Sequence, residues 1–305
     1  MHNMTKCVID FQNTEAFILS NKKVIITSDS TCDLSPELIE KYNIKTLPMG
    51  ITLGEKTYRD GADITPDEIY AYFGETGTLP KTSAINMTEF TDFFAPLVND
   101  GYAVINFTIS SEMSTTFNNS RLAAEEFEDV YTVDTRNLST GGGLLVIKAA
   151  EMAQKGESAE KIIETVNSMI DRVDASFVID KLNYLHKGGR CSAVAALGAN
   201  LLKLKPCIEV KGGKMGVGKK YRGKYGDVLK EYVEERLANA ADIELERIFV
   251  THAGCDEQIV NAVYNQVKKA LPFNEVLLTR AGCTISSHCG PDTLGILFVR
   301  KSPIE

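Results

Sequence analysis

Between Thr108 and Thr116 the chain sets six hydroxyl side chains within nine residues, Thr108, Ser110, Ser111, Ser114, Thr115 and Thr116, directly after the largely apolar stretch Ala103 to Phe107. At the mouth of a strand and the start of a helix, hydroxyls can cap free backbone N–H groups, but one helix start employs only one or two of them. The surplus suits an oxygen-rich or anionic ligand group, held by neutral hydrogen bonds and the positive end of a helix dipole. Three other loops carry similar side chains: Thr27 to Thr31 (TSDST), Pro80 to Ala84 (PKTSA) and Leu138 to Gly143 (LSTGGG). None has the G-x-x-x-x-G-K-[ST] or G-x-G-x-x-G spacing that wraps nucleotide phosphates, so no nucleotide site is expected.

Two further residues have the chemistry to join such a site. His288, in SSHCGP, stands just before a Gly-Pro turn that fixes the backbone under the ring. It reads either as a structural hydrogen-bonding residue or as a donor to an anionic group in a cleft. Arg190 follows Gly188 and Gly189, which open backbone angles closed to other residues. It reads either as a salt bridge at a helix start or as a charge clamp for a carboxylate or phosphate. Of the other histidines, His2 and His186 carry weaker cases, and His252, after a buried strand in THAG, could sit nearby. Ser114 and His288 also admit a rival reading as nucleophile and base of a hydrolase or acyltransferase. Against that, the chain has no G-x-S-x-G elbow, and no carboxylate is placed by sequence to orient the imidazole.

These side chains depend on elements that bring them to one edge. KVIITSDSTCDLSPELIEKYNI reads as a buried strand, a polar loop and a helix opened by Ser35 with Pro36 at its first position. Similar units follow at IKTLPMGITL, at TPDEIYAYFGE with Thr65 as cap, at YAVINFTIS and at VYTVDTRNLSTGGGLLVIKAAEMAQKG. Repeated strand-loop-helix spacing predicts an α/β fold with a mostly parallel sheet and helices on both faces, in which ligands collect outside the carboxyl ends of the strands. After the helix ESAEKIIETVNSMIDRV the texture changes to hairpins mixed with helices. ASFVIDKLNYL reads as a strand with a turn, GGRCSAVAALGANLLKLK as a Gly-punctuated Ala/Leu helix, and CIEVKGGKMGVGKKYRG as two strands around a Gly-Gly turn. RIFVTHAGCDEQIVNAVYNQVKKAL adds a strand and a helix, EVLLTRAGCTI a strand and LGILFVRKS a closing strand. The expected organisation is an N-terminal extension (1–22), an N-terminal α/β domain (23–174) and a C-terminal α+β domain (175–305) with a mixed or antiparallel sheet.

Composition excludes several function classes. With 305 residues the chain can bury two cores, and 44% hydrophobic against 24% charged residues is a globular balance. No apolar run approaches the ~18 residues of a membrane span. A formal charge of −8 argues against a general nucleic-acid binder. One basic stretch stands out: Lys203, Lys205, Lys211, Lys214, Lys219, Lys220, Arg222 and Lys224 face only Glu209 in sequence. It reads as a solvated hairpin surface or as a contact for an anionic membrane or acidic partner across 203–224. Seven scattered cysteines, without a C-x-x-C pair, point to a reduced cytoplasm and no metal site.

In this order and at these separations, DSTCDL, the Thr-Ser-Ala before a helix, ISSEMSTTFNNS, LHKGGR followed by a Leu-rich segment and LKP, and SSHCGPDTLG resemble the DegV family, over roughly Lys23 to Arg300. The resemblance implies a two-domain DegV-like fold and a non-catalytic fatty-acid carrier that needs no cofactor. It implies further that the bound carboxylate is presented to a separate ATP-dependent fatty acid kinase subunit and leaves as acyl phosphate. By position, the family's carboxylate-contacting residues fall on Thr82 with Ser83 beside it, on Ser114 next to Thr115, and on His288, with the basic residue after the paired glycines at Arg190. The chain departs from the family pattern in TSAIN and EMSTT, which keep the hydroxyls but alter the residues after them. Hydroxyl contacts to a carboxylate contribute about 1.5–3 kcal/mol each. At about 0.8 kcal/mol per buried CH₂, some fourteen methylenes supply on the order of 11 kcal/mol before ordering costs, so the tail must dominate affinity. An apolar tunnel is therefore required, and AVAALGANLL, with the second domain, is expected to line it.

Overall fold

The computed structural model describes residues 22–191 and 204–304. The residues expected as an N-terminal extension, apart from Lys22, and the expected tunnel-lining helix fall outside the described residues.

The first half is built by caps and alternation. Strand β1 (Val24–Asp29) runs into a polar loop, and α1 (Pro36–Lys41) starts where the Ser35 side chain accepts from Leu38 N–H. β2 (Lys45–Leu47), β3 (Gly50–Leu53) and β4 (Lys56–Arg59) follow. α2 (Pro66–Thr76) opens with a capping box between Thr65 and Glu68, β5 (Lys81–Ser83) follows it, and a second capping box between Asn86 and Glu89 opens α3 (Met87–Asn99). β6 (Ala103–Thr108), α4 (Thr116–Ala124), β7 (Val130–Asp134), α5 (Ser139–Gln154) and α6 (Ala159–Asn167) complete this half.

Strands β2-β1-β6-β7 form an all-parallel sheet. Its alternating side chains face two layers: Ile26, Ile105 and Phe107 pack toward α5 and α6, whereas Ile25 and Val104 pack with Phe90 and Phe94 of α3 and Ala123 of α4. Helices on both faces are thus realised. The stretch from Gly50 to Ser83 does not extend this sheet with further strand-helix units. Instead β4-β3-β5 form a separate antiparallel sheet, because only five residues lie between Lys45 and Ile51 and a hairpin needs no crossover.

The second half contributes β8 (Val173–Ile179), α7 (Asn183–Gly188), β9 (Lys205–Lys211), β10 (Lys214–Tyr221), α8 (Tyr225–Arg236), β11 (Ile243–Ala253), α9 (Glu257–Ala270), β12 (Glu275–Arg280), α10 (Cys283–Cys289) and β13 (Thr293–Arg300). Its six-stranded sheet has the order β10-β9-β8-β13-β11-β12, antiparallel except for the parallel β11–β12 pair. Tyr232 and Val233 of α8 and Val260 and Val263 of α9 cover one face. The other face turns toward α5.

Helix α5 is buried at every residue from Ser139 to Ile147, as a helix clad on all sides must be. It packs on β1 and β6 on one side and on β8, β11 and β13 on the other. Gly143 permits this approach, since a Cβ there would lie 2.8 Å from the Cys32 carbonyl oxygen. One hydrophobic cluster therefore runs from Ile26 and Phe107 through Leu145 to Phe177, Phe249 and Leu297. The two sheets share a core across α5. Among the described residues no helix is long and apolar enough to cross a membrane.

Leu145→Ala, at a fully buried position on α5, is expected to lower unfolding free energy by about 2–5 kcal/mol. Urea titration followed by two probes, one in each sheet, should show coincident transitions both before and after the substitution. Separate transitions would contradict a shared core.

Candidate functional site

The hydroxyl-rich loop is held from below. Beyond Thr108 at the end of β6, Ile109 N–H donates to Asp29 Oδ2 at 2.8 Å and Ser110 N–H donates to the Asn137 carbonyl at 2.9 Å. Ser110 Oγ then donates to the Gly213 carbonyl at 2.7 Å, and Glu112 pairs with Lys214 at 3.3 Å. Arg136 also reaches the Gly212 carbonyl. These contacts dock the turn of the β9–β10 hairpin on the loop and bring Met215 to its edge. Ser114 Oγ sits 2.8 Å from Thr116 Oγ1 and accepts from Thr116 N–H at 3.2 Å, so part of its capacity is spent on capping. Thr115, the residue preceding α4, makes no side-chain cap.

A cavity of about 400 Å³ opens beside this loop. Ser111, Ser114, Thr115 and Thr82 reach it from the first half of the chain, and Arg190, Thr284 and His288 from the second. Met49, Ile109, Met113, Leu138, Met215 and Ile285 supply its apolar wall. Sites at such a junction commonly combine apolar lining with a few convergent polar groups.

Helix α10 carries His288, and two buried carboxylates fix its start. Asp60 accepts from Cys283 N–H at 2.7 Å and Thr284 N–H at 3.0 Å, and Asp33 accepts from Gly282 N–H at 2.8 Å. Both acids belong to the first half of the chain. They satisfy three free donors at a helix N-terminus, where negative charge is favoured. Ser30 Oγ steadies Asp60 at 2.9 Å, and Ser139 Oγ donates to Asp33. Burial pushes the Asp33 carboxyl well above the usual range, and it lifts Asp29 to about 6 despite hydrogen bonds from Thr31 and Ile109. Among the described residues no His, Cys, Asp and Glu grouping could hold a metal ion.

His288 Nε2 lies 2.9 Å from Thr82 Oγ1. Its Nδ1 is buried without a partner among the described residues, on the side of Gly188, where a Cβ would approach to 2.8 Å. Burial, and secondarily the Arg190 charge, lower the ring's pKa to about 4, so the imidazole is neutral at pH 7. Arg190 itself is exposed and donates to the Gly188 carbonyl at 2.8 Å. It lies just past Gly189, the left-handed C-cap of α7, where a cation is favoured; beyond Cys191, the Ala/Leu helix expected to start here falls outside the described residues.

Thr82, Ser114, Thr115, His288 and Arg190 thus border one cavity. Ser83 does not line it. Strand alternation turns Ser83 to the opposite side of β5, where it pairs with Gly50; a Cβ on Gly50 would lie 2.2 Å from Ser83 Oγ. His252 sits on β11 beside Arg280 of β12, away from the lining. The loops TSDST and LSTGGG turn most of their polar groups inward: Thr31 serves Asp29, Ser30 serves Asp60, Ser139 serves Asp33, and Thr140 meets Thr251. Ser114 is not bonded to His288, whose ring nitrogen faces Thr82, so no nucleophile-base pair is formed. Asp33, Asp60 and Thr284 had no local signature: their partners are more than 200 residues away in sequence.

The basic stretch is largely neutralised in space. Lys205 pairs with Asp180, Lys211 with Glu209, Lys214 with Glu112, and Lys219 with Glu231 and Glu235. Lys220, Arg222 and Lys224 remain as exposed cations, and Lys203 falls outside the described residues.

Two pH effects of opposite sign follow. His288 has a folded pKa below its ordinary value, so its stabilising contribution is present above about pH 6.5 and is lost as pH falls toward 4. Asp29 has a raised folded pKa, so its contribution declines as pH rises from about 4 through 6. An NMR titration of the imidazole is expected to place the His288 midpoint near 4. A midpoint at the ordinary histidine value would contradict the buried, uncharged ring.

With this geometry in place, comparison with known proteins is informative. The sequence model of the DegV family matches residues 23–301. A DegV domain-containing protein of Clostridium perfringens is 32% identical over 283 residues, covering 92% of this chain and 99% of its own. Another, from Caldanaerobacter subterraneus, is 31% identical over 284 residues, covering 92% and 100%. Among solved structures, a DegV family protein from Thermus thermophilus, described for its fatty acid binding, superposes with a TM-score of 0.85 at 29% identity, covering 91% of this chain and 99% of that one. DegV from Bacillus subtilis, described as a fatty acid binding protein, gives 0.79 at 27% identity, covering 92% and 100%. A stearic acid-binding protein from Eubacterium ventriosum gives 0.77 at 28%, covering 90% and 98%. The chain belongs to the DegV family.

Proposed function

We propose that this protein is a non-catalytic carrier that binds a long-chain fatty acid in the cavity between its two halves, 23–174 and 175–305. The observation that carries the reading is the cavity's division of labour. Thr82, Ser114, Thr115 and a neutral His288 offer uncharged donors, while three methionines and Ile109, Leu138 and Ile285 offer an adaptable apolar wall. The fatty acids described for the related structures support the same chemistry.

Neutral donors orient a carboxylate without neutralising it. An oxygen held by hydroxyls keeps a lone pair free to attack a phosphorus atom, whereas a buried salt bridge would withdraw that electron density. The proposal extends to presentation of the carboxylate to a separate ATP-dependent fatty acid kinase subunit, a reading this arrangement supports, with exposed Arg190 at the mouth to meet the arriving phosphate. Transient contact with an anionic membrane would rest on Lys220, Arg222 and Lys224 within 203–224, each worth about 1 kcal/mol near anionic lipid.

Mass spectrometry of solvent extracts of the purified protein is expected to find a fatty acid in near-stoichiometric amount. Ser114→Ala and His288→Ala should each weaken binding of palmitic acid about tenfold, the loss of ~1.4 kcal/mol in neutral hydrogen bonding. A protein that yields no lipid and binds none would overturn the proposal. For the membrane contact, binding to vesicles rich in phosphatidylserine should fall steeply with added salt and fall again in the Lys220→Glu/Lys224→Glu variant; salt-independent binding would exclude it.

A further inference from the structure

We propose that Thr284 is an additional headgroup contact, its Oγ1 hydrogen-bonding the carboxylate of the bound fatty acid beside His288. This rests on the fatty-acid reading above and extends it to a residue that no family motif quoted above assigned. Thr284 lines the cavity and is 3% exposed, yet its Oγ1 has no hydrogen-bond partner among the described residues. A buried hydroxyl left unpaired is costly, and native structures rarely tolerate one without a reason.

The ordinary employments of a helix hydroxyl are closed to it. Capping is already done by Asp60, which accepts from Thr284's own N–H at 3.0 Å and from Cys283 N–H at 2.7 Å. The other hydroxyls of α10 bond back to carbonyls, Ser286 Oγ to Ala281 at 3.1 Å and Ser287 Oγ to Cys283 at 2.8 Å. Thr284 does not.

Position then selects the ligand atom. Thr284 and His288 are four residues apart, so they lie on one face of α10, about 6 Å apart along its axis. Helix side chains lean toward the N-terminus, which carries the longer His288 ring back over the turn that holds Thr284. Besides the ring's own Nδ1, which faces Gly188, Thr284 Oγ1 is the unsatisfied side-chain atom of that helix available to an oxygen atom placed at His288 Nε2. The clasp by Asp60 fixes the Thr284 backbone before ligand arrives, so only the side-chain rotor is left to order when the new bond forms.

The test uses the full-length protein and palmitic acid labelled with ¹³C at the carboxyl carbon. Thr284→Val, which keeps the shape, should weaken palmitic acid binding by on the order of fivefold while leaving the ligand-free melting temperature unchanged or higher, since it removes an unsatisfied polar atom. The bound carboxyl ¹³C resonance should shift relative to wild type. Thr284→Ser, which restores the hydroxyl, should return both affinity and resonance toward wild type and guards against a packing effect of valine. An unchanged dissociation constant, or an unmoved carboxyl resonance, would overturn the assignment. If Ser114→Ala weakens binding and Thr284→Val does not, Thr284 alone is excluded; if the wild type binds no palmitic acid, the functional reading falls and this assignment with it.

Discussion

Three backbone N–H groups at the start of α10, from Gly282, Cys283 and Thr284, meet two carboxylates that arrive from loops more than 200 residues earlier. The remaining features of the site depend on this clasp. Asp33 and Asp60 are both almost wholly buried, and a charge taken from water is tolerable only where donors surround it. The free end of a helix supplies such donors without side chains. The arrangement fixes one end of α10, and one turn later the same helix presents His288 to Thr82. The first half of the chain thereby sets the position of a side chain in the second.

The clasp sets two acidic side chains just behind a cavity proposed to receive an anion, with burial raising the Asp33 carboxyl; apart from Arg190 and from Glu112, which pairs with Lys214, the described lining side chains are uncharged. Hydroxyls line the loop after β6, the imidazole is held uncharged by burial, and Arg190, the one cationic side chain on the cavity among the described residues, stays at its exposed edge. A fully desolvated guanidinium facing the carboxylate would bind it tightly and disable it for further chemistry. In the proposed complex, affinity would come from the methionine- and isoleucine-lined wall, where area rather than charge counts. The shared core around α5 keeps both sides of that wall in register.

Much of the local structure was legible because it is written in neighbouring residues. Ser35-Pro36, Thr65-Pro66 with Glu68, and the alternation of β1 and β6 each rest on contacts within a few positions, and the helices and parallel strands formed where those signals stood. The hydroxyl cluster is legible as a surplus for the same reason, since it holds more hydroxyls than one helix start can use, and Ser111, Ser114 and Thr115 line the cavity. Illegible features were those decided by distant partners. CTISSHC has no apolar period and is stabilised as a helix by Asp33 and Asp60, so in sequence only Cys283 to Ile285 read as regular structure, the tail of a strand. YGDVLKEYVEER is a different case: Val228, Leu229, Tyr232 and Val233 recur at helical spacing, and they form its buried face on the sheet. Ser83 looked equivalent to Thr82 in sequence, but strand alternation separates them by a full face. The lysines of the β9–β10 hairpin looked unopposed until Asp180, Glu112, Glu231 and Glu235 came to them from other elements.

The proposed complex has an acid head oriented by neutral donors at the edge of an apolar cavity. A crystal structure of the protein grown with palmitic acid tests this most directly. The carboxylate should lie within hydrogen-bonding distance of Ser114 Oγ and His288 Nε2, with the acyl chain running between Met49, Met113 and Met215. A carboxylate paired with Arg190 outside the cavity, or a cavity closed by repacked side chains with the ligand elsewhere, would contradict it.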